Sequence, residues 1–134
     1  MNTLDQQRAQ YAWERAHRNT RVDGYREMVK GAPALVMGNG LMATLAYYRS
    51  RTGSNERAAS VLLEDLLGWL AKQIAPTDFA SAMNAFFNIA PTDFASAMNA
   101  FFNAGAQDVM RATDETLAML RWLRQFADAV EGAR

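Results

Sequence analysis

The sequence predicts an all-α protein that folds as a single compact bundle of five to seven helices. Apolar residues recur three and four positions apart along most of the chain, which is the spacing of one face of an α-helix. No segment alternates apolar and polar residues as a half-buried strand does. Only three prolines and eight glycines divide the 134 residues, so we expect short connections. Because half of the residues are hydrophobic, one domain spanning residues 1–134 can bury a core without disulfides or a structural metal.

The first helix is predicted over residues 3–19, because Thr3 and Gln6 have the spacing of a capping box. Its apolar side consists of Ala9, Ala12, Trp13 and Ala16. A basic stripe lies beside that side, within a sector of about 80°, and consists of Arg8, Tyr11, Arg15 and Arg18. Charged stripes on helices usually face water, so a solvated face is the simplest interpretation of this one.

Two helices are predicted around Pro33. A short one over residues 25–30 ends before the proline, because the residue that precedes a proline is pushed out of the helical conformation. The next covers residues 34–50 and is apolar nearly all round its circumference. A helix of that kind is surrounded by protein. We therefore expect residues 34–48 to be the central and least exposed element, with Gly38 allowing close approach of a neighbouring helix.

Two more long helices are predicted in the second half of the chain. Ser54 or Asn55 caps the first of them. Its apolar face consists of Leu62, Leu63, Leu66, Leu67 and Leu70. The last helix begins at Ala106 or Thr113 and ends near Val130. It is expected to bury Leu120, Leu123, Ala127 and Val130, and to turn Arg121, Arg124 and Asp128 away from the core.

An identical tandem duplication separates those two helices, because residues 74–88 are repeated at once as residues 89–103. Solenoid repeats are longer, diverge in sequence and number at least three, so a recent in-frame duplication or an error in the sequence explains the repeat better. Each copy begins with Pro-Thr-Asp, which ends one helix and can cap another. Two short helices are therefore expected, whose apolar stripe (Phe79, Met83, Phe86 and Phe87 in the first copy) packs in the core rather than stacking on bases.

Little in the composition supports an enzyme. The chain has no cysteine and one histidine, His17, which excludes disulfides, thiolate zinc sites and thiol nucleophiles and makes triads and histidine-rich metal sites unexpected. The carboxylate pairs Glu64-Asp65 and Asp114-Glu115 are adjacent in sequence, so their members diverge on a helix instead of converging on a substrate. We expect His17 to be an exposed helix residue. No catalytic residue, metal site or cofactor is predicted.

A glycine motif and an apolar run suggest two other functions, and the sequence supports neither. Residues 38–43 form a G-x-G-x-x-A string that imitates a dinucleotide-binding turn, but no parallel strands are predicted to build the sheet that such a turn requires. The longest apolar run, residues 32–48, is interrupted and shorter than the ~20 residues that span a bilayer. The first residues lack the features of a secretory signal. The sequence therefore predicts a cytoplasmic protein without a membrane helix.

Charge is unevenly distributed, although the fourteen basic and fourteen acidic residues cancel. Residues 1–57 carry nine basic and five acidic groups, whereas residues 58–110 carry one basic and five acidic groups. Residues 111–134 carry four of each. Twelve of the basic residues are arginines, whose planar guanidinium suits bidentate contacts with phosphate or carboxylate. This polarity fits either a nucleic-acid face or a partner-protein face.

Three blocks carry a pattern that is more specific than any single motif. Residues 32–47 read APALVMGNGLMATLAY, residues 3–16 form the amphipathic first helix, and residues 109–127 lie in the last helix. Together they resemble the small subunit of the type III-B CRISPR–Cas (Cmr) RNA-guided effector complex. Order, spacing and total length fit that family, while one copy of the duplication is surplus to its pattern. The family often has tyrosine where this chain has Val109-Met110, and alanine at Thr116.

The resemblance implies a non-catalytic helical subunit with a role in antiviral defence. It implies stacking with copies of itself in the shorter of two filaments, beside the crRNA-bearing backbone subunit and the large subunit, with target RNA between the filaments. The charge distribution then predicts that RNA contacts come mainly from Arg15, Arg18, Arg21, Lys30, Arg49, Arg51 and Arg57. The alternative is a generic helical protein–protein adaptor or oligomerisation module without RNA contact.

Overall fold

The predicted fold class is confirmed. The computed structural model describes residues 3–51, 56–73, 98, 101–102 and 104–132. Within these residues the chain forms five helices and no strand: α1 (Leu4–Asn19), α2 (Tyr25–Asn39), α3 (Leu41–Ser50), α4 (Glu56–Gln73) and α5 (Ala106–Gly132). The cap predicted at Ser54 or Asn55 and the two short helices predicted in the duplication lie outside the described residues, apart from a few positions of the second copy.

The first helix begins as the sequence predicts. The Thr3 hydroxyl accepts a hydrogen bond from the Gln6 backbone N–H at 3.1 Å, and the Gln6 side chain accepts one from the Thr3 N–H at 2.7 Å. This reciprocal pair satisfies two backbone donors that the start of a helix leaves without partners. The predicted capping box is confirmed, and α1 ends at Asn19, also as predicted.

The prediction that a helix ends before Pro33 is wrong, because Pro33 lies inside α2. Proline removes one helical hydrogen bond and costs about 3 kcal/mol in a helix interior. The packed face of α2 offsets this cost, since four of its residues are buried at helical spacing: Tyr25, Val29, Ala32 and Val36. Burial of each large apolar side chain contributes roughly 1.5–3 kcal/mol. The helix ends instead at Gly40, whose φ of 91° and ψ of 159° favour glycine.

The break at Gly40 also overturns the prediction that residues 34–48 form the central element. The side chains of Met37 and Tyr47 are 76% and 43% exposed. A Cβ added at Gly38 meets no atom within 4 Å, so this glycine permits no close helix approach. The two halves of the predicted helix belong to different helices and bury different faces, and the apolar residues outside those faces remain at the surface.

The most enclosed helix is α4, which contacts each of the other four helices. The predicted leucine face is confirmed, and the buried side chains of α4 are Ala58, Ala59, Leu62, Leu63, Asp65, Leu66, Leu67, Trp69 and Leu70. Phe101, from the second copy of the duplication, joins the same hydrophobic core. The core thus forms around α4 and not around the apolar segment that follows Pro33.

The last helix packs mainly along α1 and α2. It buries the residues predicted for its inner face, which are Leu120, Leu123, Ala127 and Val130, together with Met119. Arg121 and Arg124 are exposed, as predicted. Asp128 was expected to turn away, but its carboxylate lies 2.7 Å from Arg26 Nε and 3.5 Å from Lys30 Nζ, and so it connects α5 to α2.

Candidate interaction surface

The predicted basic stripe of α1 faces the other helices and not the solvent. Arg8 donates to the Glu115 carboxylate of α5 from Nε at 3.0 Å and from Nη2 at 2.5 Å. Tyr11 is buried, and the Arg15 guanidinium lies 5.1 Å from its ring centre. Of the four stripe residues, only Arg18 is exposed. The interpretation as a solvated face was wrong because α4 and α5 supply buried acids that pair with the stripe.

One of these acids, Asp65 of α4, lies at the centre of a buried polar cluster. The Asn19 amide donates to both carboxylate oxygens at 3.1 and 2.9 Å, and the Tyr25 hydroxyl donates to Oδ2 at 2.6 Å. Arg15 Nη1 lies 3.5 Å from Oδ1, and the Tyr11 hydroxyl donates to the Asp65 backbone carbonyl at 2.7 Å. The cluster connects α1, α2 and α4 through groups that a protein interior requires to be paired.

Burial dominates the electrostatics of this cluster. It raises the pKa of Asp65 to about 6, although the hydrogen bond from Tyr25 and the charge of Arg15 act in the opposite direction. Burial also raises the pKa of Tyr25, and the neighbouring Asp65 carboxylate adds to that rise. Tyr25 therefore remains a phenol and a hydrogen-bond donor at every physiological pH.

The second internal acid, Glu115, is held by α1 and α4. Besides the two bonds from Arg8, its Oε1 accepts a hydrogen bond from Trp69 Nε1 at 2.9 Å. The hydrogen bond from Arg8 holds the pKa of Glu115 below its usual value. Glu64 and Asp114, the sequence neighbours of the two internal acids, are exposed. The predicted divergence of each carboxylate pair is thus confirmed.

The internal roles of Asp65 and Glu115 were not predicted from the sequence. A signal for Asp65 was present, because it lies three residues after Leu62 and directly before Leu66 on the apolar face of α4. An acid at such a position has to find a partner inside the protein. Glu115 has a weaker signal, since its partners Arg8 and Trp69 are remote in sequence.

Most of the predicted RNA-contact residues lie at one end of the bundle. The C-terminal end of α3 lies beside the start of α2, because Arg51 lines the same pocket as Gly24 and Met28. Arg21 precedes Gly24 by three residues, and Arg57 follows Arg51 by six residues, a distance of at most about 20 Å. We call this region the basic end and define it by five residues: Arg18, Arg21, Arg49, Arg51 and Arg57.

The basic end is mostly accessible and carries excess positive charge. The side chains of Arg18, Arg21, Arg49 and Arg57 are exposed, and that of Arg51 is half-buried against Tyr47. Among the acids whose side chains are described there, Asp23 and Glu27 are exposed and are outnumbered by the arginines.

The remaining two candidates have partners inside the molecule: Arg15 lies close to Asp65, and Lys30 shares Asp128 with Arg26. The structure thus brings five candidates together and separates Arg15 from them.

A second accessible feature is an aromatic cluster between α1 and α5. The Trp13 ring packs edge-on against Phe126 at 5.3 Å between centres, and Trp122 stacks on Phe126 at the same distance. His17 is exposed, as predicted, and stacks on Trp13 at 5.9 Å. Trp122 Nε1 donates to Asp5 at 3.0 Å. Trp13 is 45% exposed, so the cluster presents aromatic surface to solvent.

Two alternative kinds of site find no support in the described parts of the chain. The G-x-G-x-x-A string lies at the junction of α2 and α3, so a helix precedes it where a dinucleotide-binding turn requires a strand. Among the side chains that can be placed, no group of three or more histidines or acids has the arrangement of a metal site. Within the same ranges, no helix has the length and apolar character needed to cross a bilayer.

Fold and surface together define an all-α interaction module, a helical bundle held by internal polar clusters that presents its accessible arginines at one end. Comparison with known proteins identifies the family. The family described as CRISPR-associated protein (Cas_Cmr5) matches residues 4–130. The chain belongs to this Cmr5 family, the small subunit of the type III-B Cmr complex.

A solved structure agrees with this assignment. The crystal structure of a CRISPR-associated Cmr5 family protein from Thermus thermophilus is 26% identical in sequence to this chain. The match covers 97% of this chain and 98% of the other, with a TM-score of 0.68. The resemblance seen in the sequence is confirmed, and the protein is a subunit of a CRISPR type III-B complex that contains other subunits.

Proposed function

We propose that this protein is a non-catalytic structural subunit that contacts the RNA backbone through its basic end. In this role it stacks with copies of itself in the minor filament of the complex, beside the backbone and large subunits. Its arginines face phosphates of the guide or target RNA, and the assembly acts in antiviral defence in the cytoplasm. The observation that carries the proposal is the position of Arg18, Arg21, Arg49, Arg51 and Arg57 at one end of the bundle.

The chemistry of the basic end favours phosphate as its ligand. Arginine binds phosphate oxygens with a planar, permanently charged group, and such contacts supply affinity that does not depend on base sequence. In an RNA-guided complex, base pairing between guide and target reads the sequence, so a subunit that binds the backbone needs no base-specific contacts. The arginines of the basic end are accessible for this purpose, whereas Arg8 and Arg15 are paired with internal acids.

Stacking between copies is proposed from the charge distribution. The basic excess of residues 1–57 and the acidic excess of residues 58–110 are complementary when one copy follows another head to tail.

RNA binding by the reconstituted complex tests the proposal. In one variant, three arginines of the basic end, Arg18, Arg21 and Arg49, are changed together to glutamate. In the control, three exposed arginines of α5, Arg111, Arg121 and Arg124, receive the same substitution, so that both variants undergo an equal change of net charge. Arg15 is not included, because its replacement would leave Asp65 without its nearest cation and so affect folding.

We expect the basic-end variant to bind RNA more weakly and with a flatter dependence on salt concentration. The slope of log affinity against log salt should fall by about one for each phosphate that the variant no longer binds. The α5 variant should bind like the wild type. If the basic-end variant no longer stacks with itself while RNA affinity per assembled complex is unchanged, the basic end is a protein interface. That result would favour the alternative, a helical adaptor without RNA contact.

A further inference from the structure

A pocket of about 480 Å³ opens at the basic end, between α2 and α3. Its volume lies within the ~300–1,000 Å³ typical of small-ligand sites. Its wall includes Glu27, Met28, Leu35, Tyr47, Tyr48 and Arg51. Gly31 of α2 also lines the pocket, and a Cβ added there meets no atom within 4 Å. The pocket is thus a preformed space with apolar walls and a few polar groups.

An unpaired hydroxyl belongs to this wall. Tyr48 is 2% exposed, and its hydroxyl has no hydrogen-bond partner among the described residues. A buried hydroxyl without a partner costs free energy, so native proteins rarely retain one without a reason. Burial raises the pKa of Tyr48 to about 12, which keeps the hydroxyl protonated as a donor. An occupant of the pocket with an acceptor atom would supply the missing partner.

The other groups of the wall suit a flat, polar-edged ligand. The Tyr47 ring is 43% exposed, and the Arg51 guanidinium lies 5.4 Å from its centre and donates to the Tyr47 hydroxyl. Aromatic rings and guanidinium planes are the surfaces on which unpaired RNA bases stack. Glu27 is exposed and provides an acceptor, while it would repel a phosphate placed inside the pocket.

We propose that this pocket holds one unpaired nucleobase of single-stranded RNA, which stacks at Tyr47 and Arg51 and accepts a hydrogen bond from Tyr48. The inference rests on the proposed function, since the basic end would hold the phosphates on either side of that base. Every base carries acceptor atoms on its edge, so the pocket tolerates different sequences. The apolar walls formed by Met28 and Leu35 match the faces of a base better than they match a phosphate or a charged side chain.

Two glycines of α2 provide a matched pair of variants. Gly31→Leu fills the pocket, whereas Gly38→Leu places the same side chain in open space on the same helix, outside the pocket. Both replace a glycine inside a helix, which favours helix formation, so both proteins are expected to fold. Tyr48→Phe is a third variant and removes only the unpaired hydroxyl. Its thermal unfolding midpoint should equal or exceed that of the wild type.

The probe is a short oligouridine that carries one 2-aminopurine and an end label, mixed with the full-length chain. Label anisotropy measures total binding, and 2-aminopurine fluorescence measures whether the base is stacked. We expect quenching with the wild type and with Gly38→Leu, and none with Gly31→Leu, whose affinity should fall about tenfold because one base is no longer stacked. Tyr48→Phe should weaken binding about fivefold because one hydrogen bond is removed.

The outcomes separate the pocket from the proposed function. If anisotropy shows salt-dependent binding while Gly31→Leu leaves quenching and affinity unchanged, the pocket proposal is overturned and the basic end still binds RNA. If Gly31→Leu instead abolishes self-association, the pocket receives a neighbouring subunit and the base assignment is wrong. If free adenosine monophosphate binds in a manner sensitive to Gly31→Leu but the oligonucleotide does not bind, the ligand is a free nucleotide, and the RNA assignment is overturned. Absence of all binding contradicts both proposals.

Discussion

Removal of the Tyr25 hydroxyl is expected to destabilise the protein in a way that depends on pH. Tyr25 is fully buried, and its hydroxyl donates to the Asp65 carboxylate at 2.6 Å. Hydrogen bonds to charged groups contribute roughly 1.5–3 kcal/mol, and neutral ones roughly 0.5–1.5 kcal/mol. With a pKa of about 6, Asp65 in the folded protein is ionised at pH 8 and mostly protonated at pH 5. Tyr25→Phe should therefore lower the free energy of unfolding by about 2 kcal/mol at pH 8 and about 1 kcal/mol at pH 5.

The direction of the pH dependence follows from proton linkage. The pKa of Asp65 is raised in the folded protein above its ordinary value of 3.8, so the folded state binds more protons than the unfolded state between about pH 4 and pH 6. The contribution of Asp65 to stability therefore falls as pH rises through this range and is constant above it. Tyr25→Phe removes a donor that favours the carboxylate, so it raises the folded-state pKa further and extends the loss of stability to higher pH.

Tyr11→Phe is the matched control, because its hydroxyl donates to the neutral backbone carbonyl of the same Asp65 at 2.7 Å. This variant should lose about 1 kcal/mol at both pH values. The assay is urea unfolding followed by far-ultraviolet circular dichroism at pH 5 and pH 8 for the wild type and both variants. Equal losses for the two variants at both pH values would refute the conclusion that Tyr25 stabilises a buried carboxylate.

Two further predictions concern the core and the duplication. Leu45→Ala should lower the free energy of unfolding by about 2–5 kcal/mol because Leu45 is fully buried, and a loss well below ~1 kcal/mol in urea unfolding would contradict its place in the core. Deletion of residues 89–103 should leave a protein that unfolds cooperatively in a calorimeter. Phe101 is buried, and its identical counterpart Phe86 is available to replace it when one copy remains. Loss of a cooperative transition would show that both copies are built into one core.

Local signals in the sequence predicted three helices correctly. The capping box placed the start of α1, and apolar spacing predicted the buried faces of α4 and α5. These features depend on residues within one or two helical turns, so a linear sequence contains the information that decides them. The family resemblance likewise depends on order and spacing alone, and it was confirmed over residues 4–130.

The errors arose where local preference and tertiary packing disagreed. Proline disfavours a helix interior, yet Pro33 lies within α2 because Val29, Ala32 and Val36 pack in the core on both sides of it. Apolar composition marked residues 34–48 as central, but the turn at Gly40 divides them between two helices. Local rules give the cost of each conformation, and the packing that offsets the cost comes from other helices.

For the candidate site, the order of residues was enough to show which half of the chain carries the excess of arginines. Which of these arginines are accessible became clear only from the folded chain. Arg8 and Arg15 face inward because Glu115 and Asp65, 107 and 50 residues away along the chain, offer them buried carboxylates. Net charge is a property of composition, whereas the availability of a charge depends on its partner, and the fold alone brings those partners within hydrogen-bonding distance.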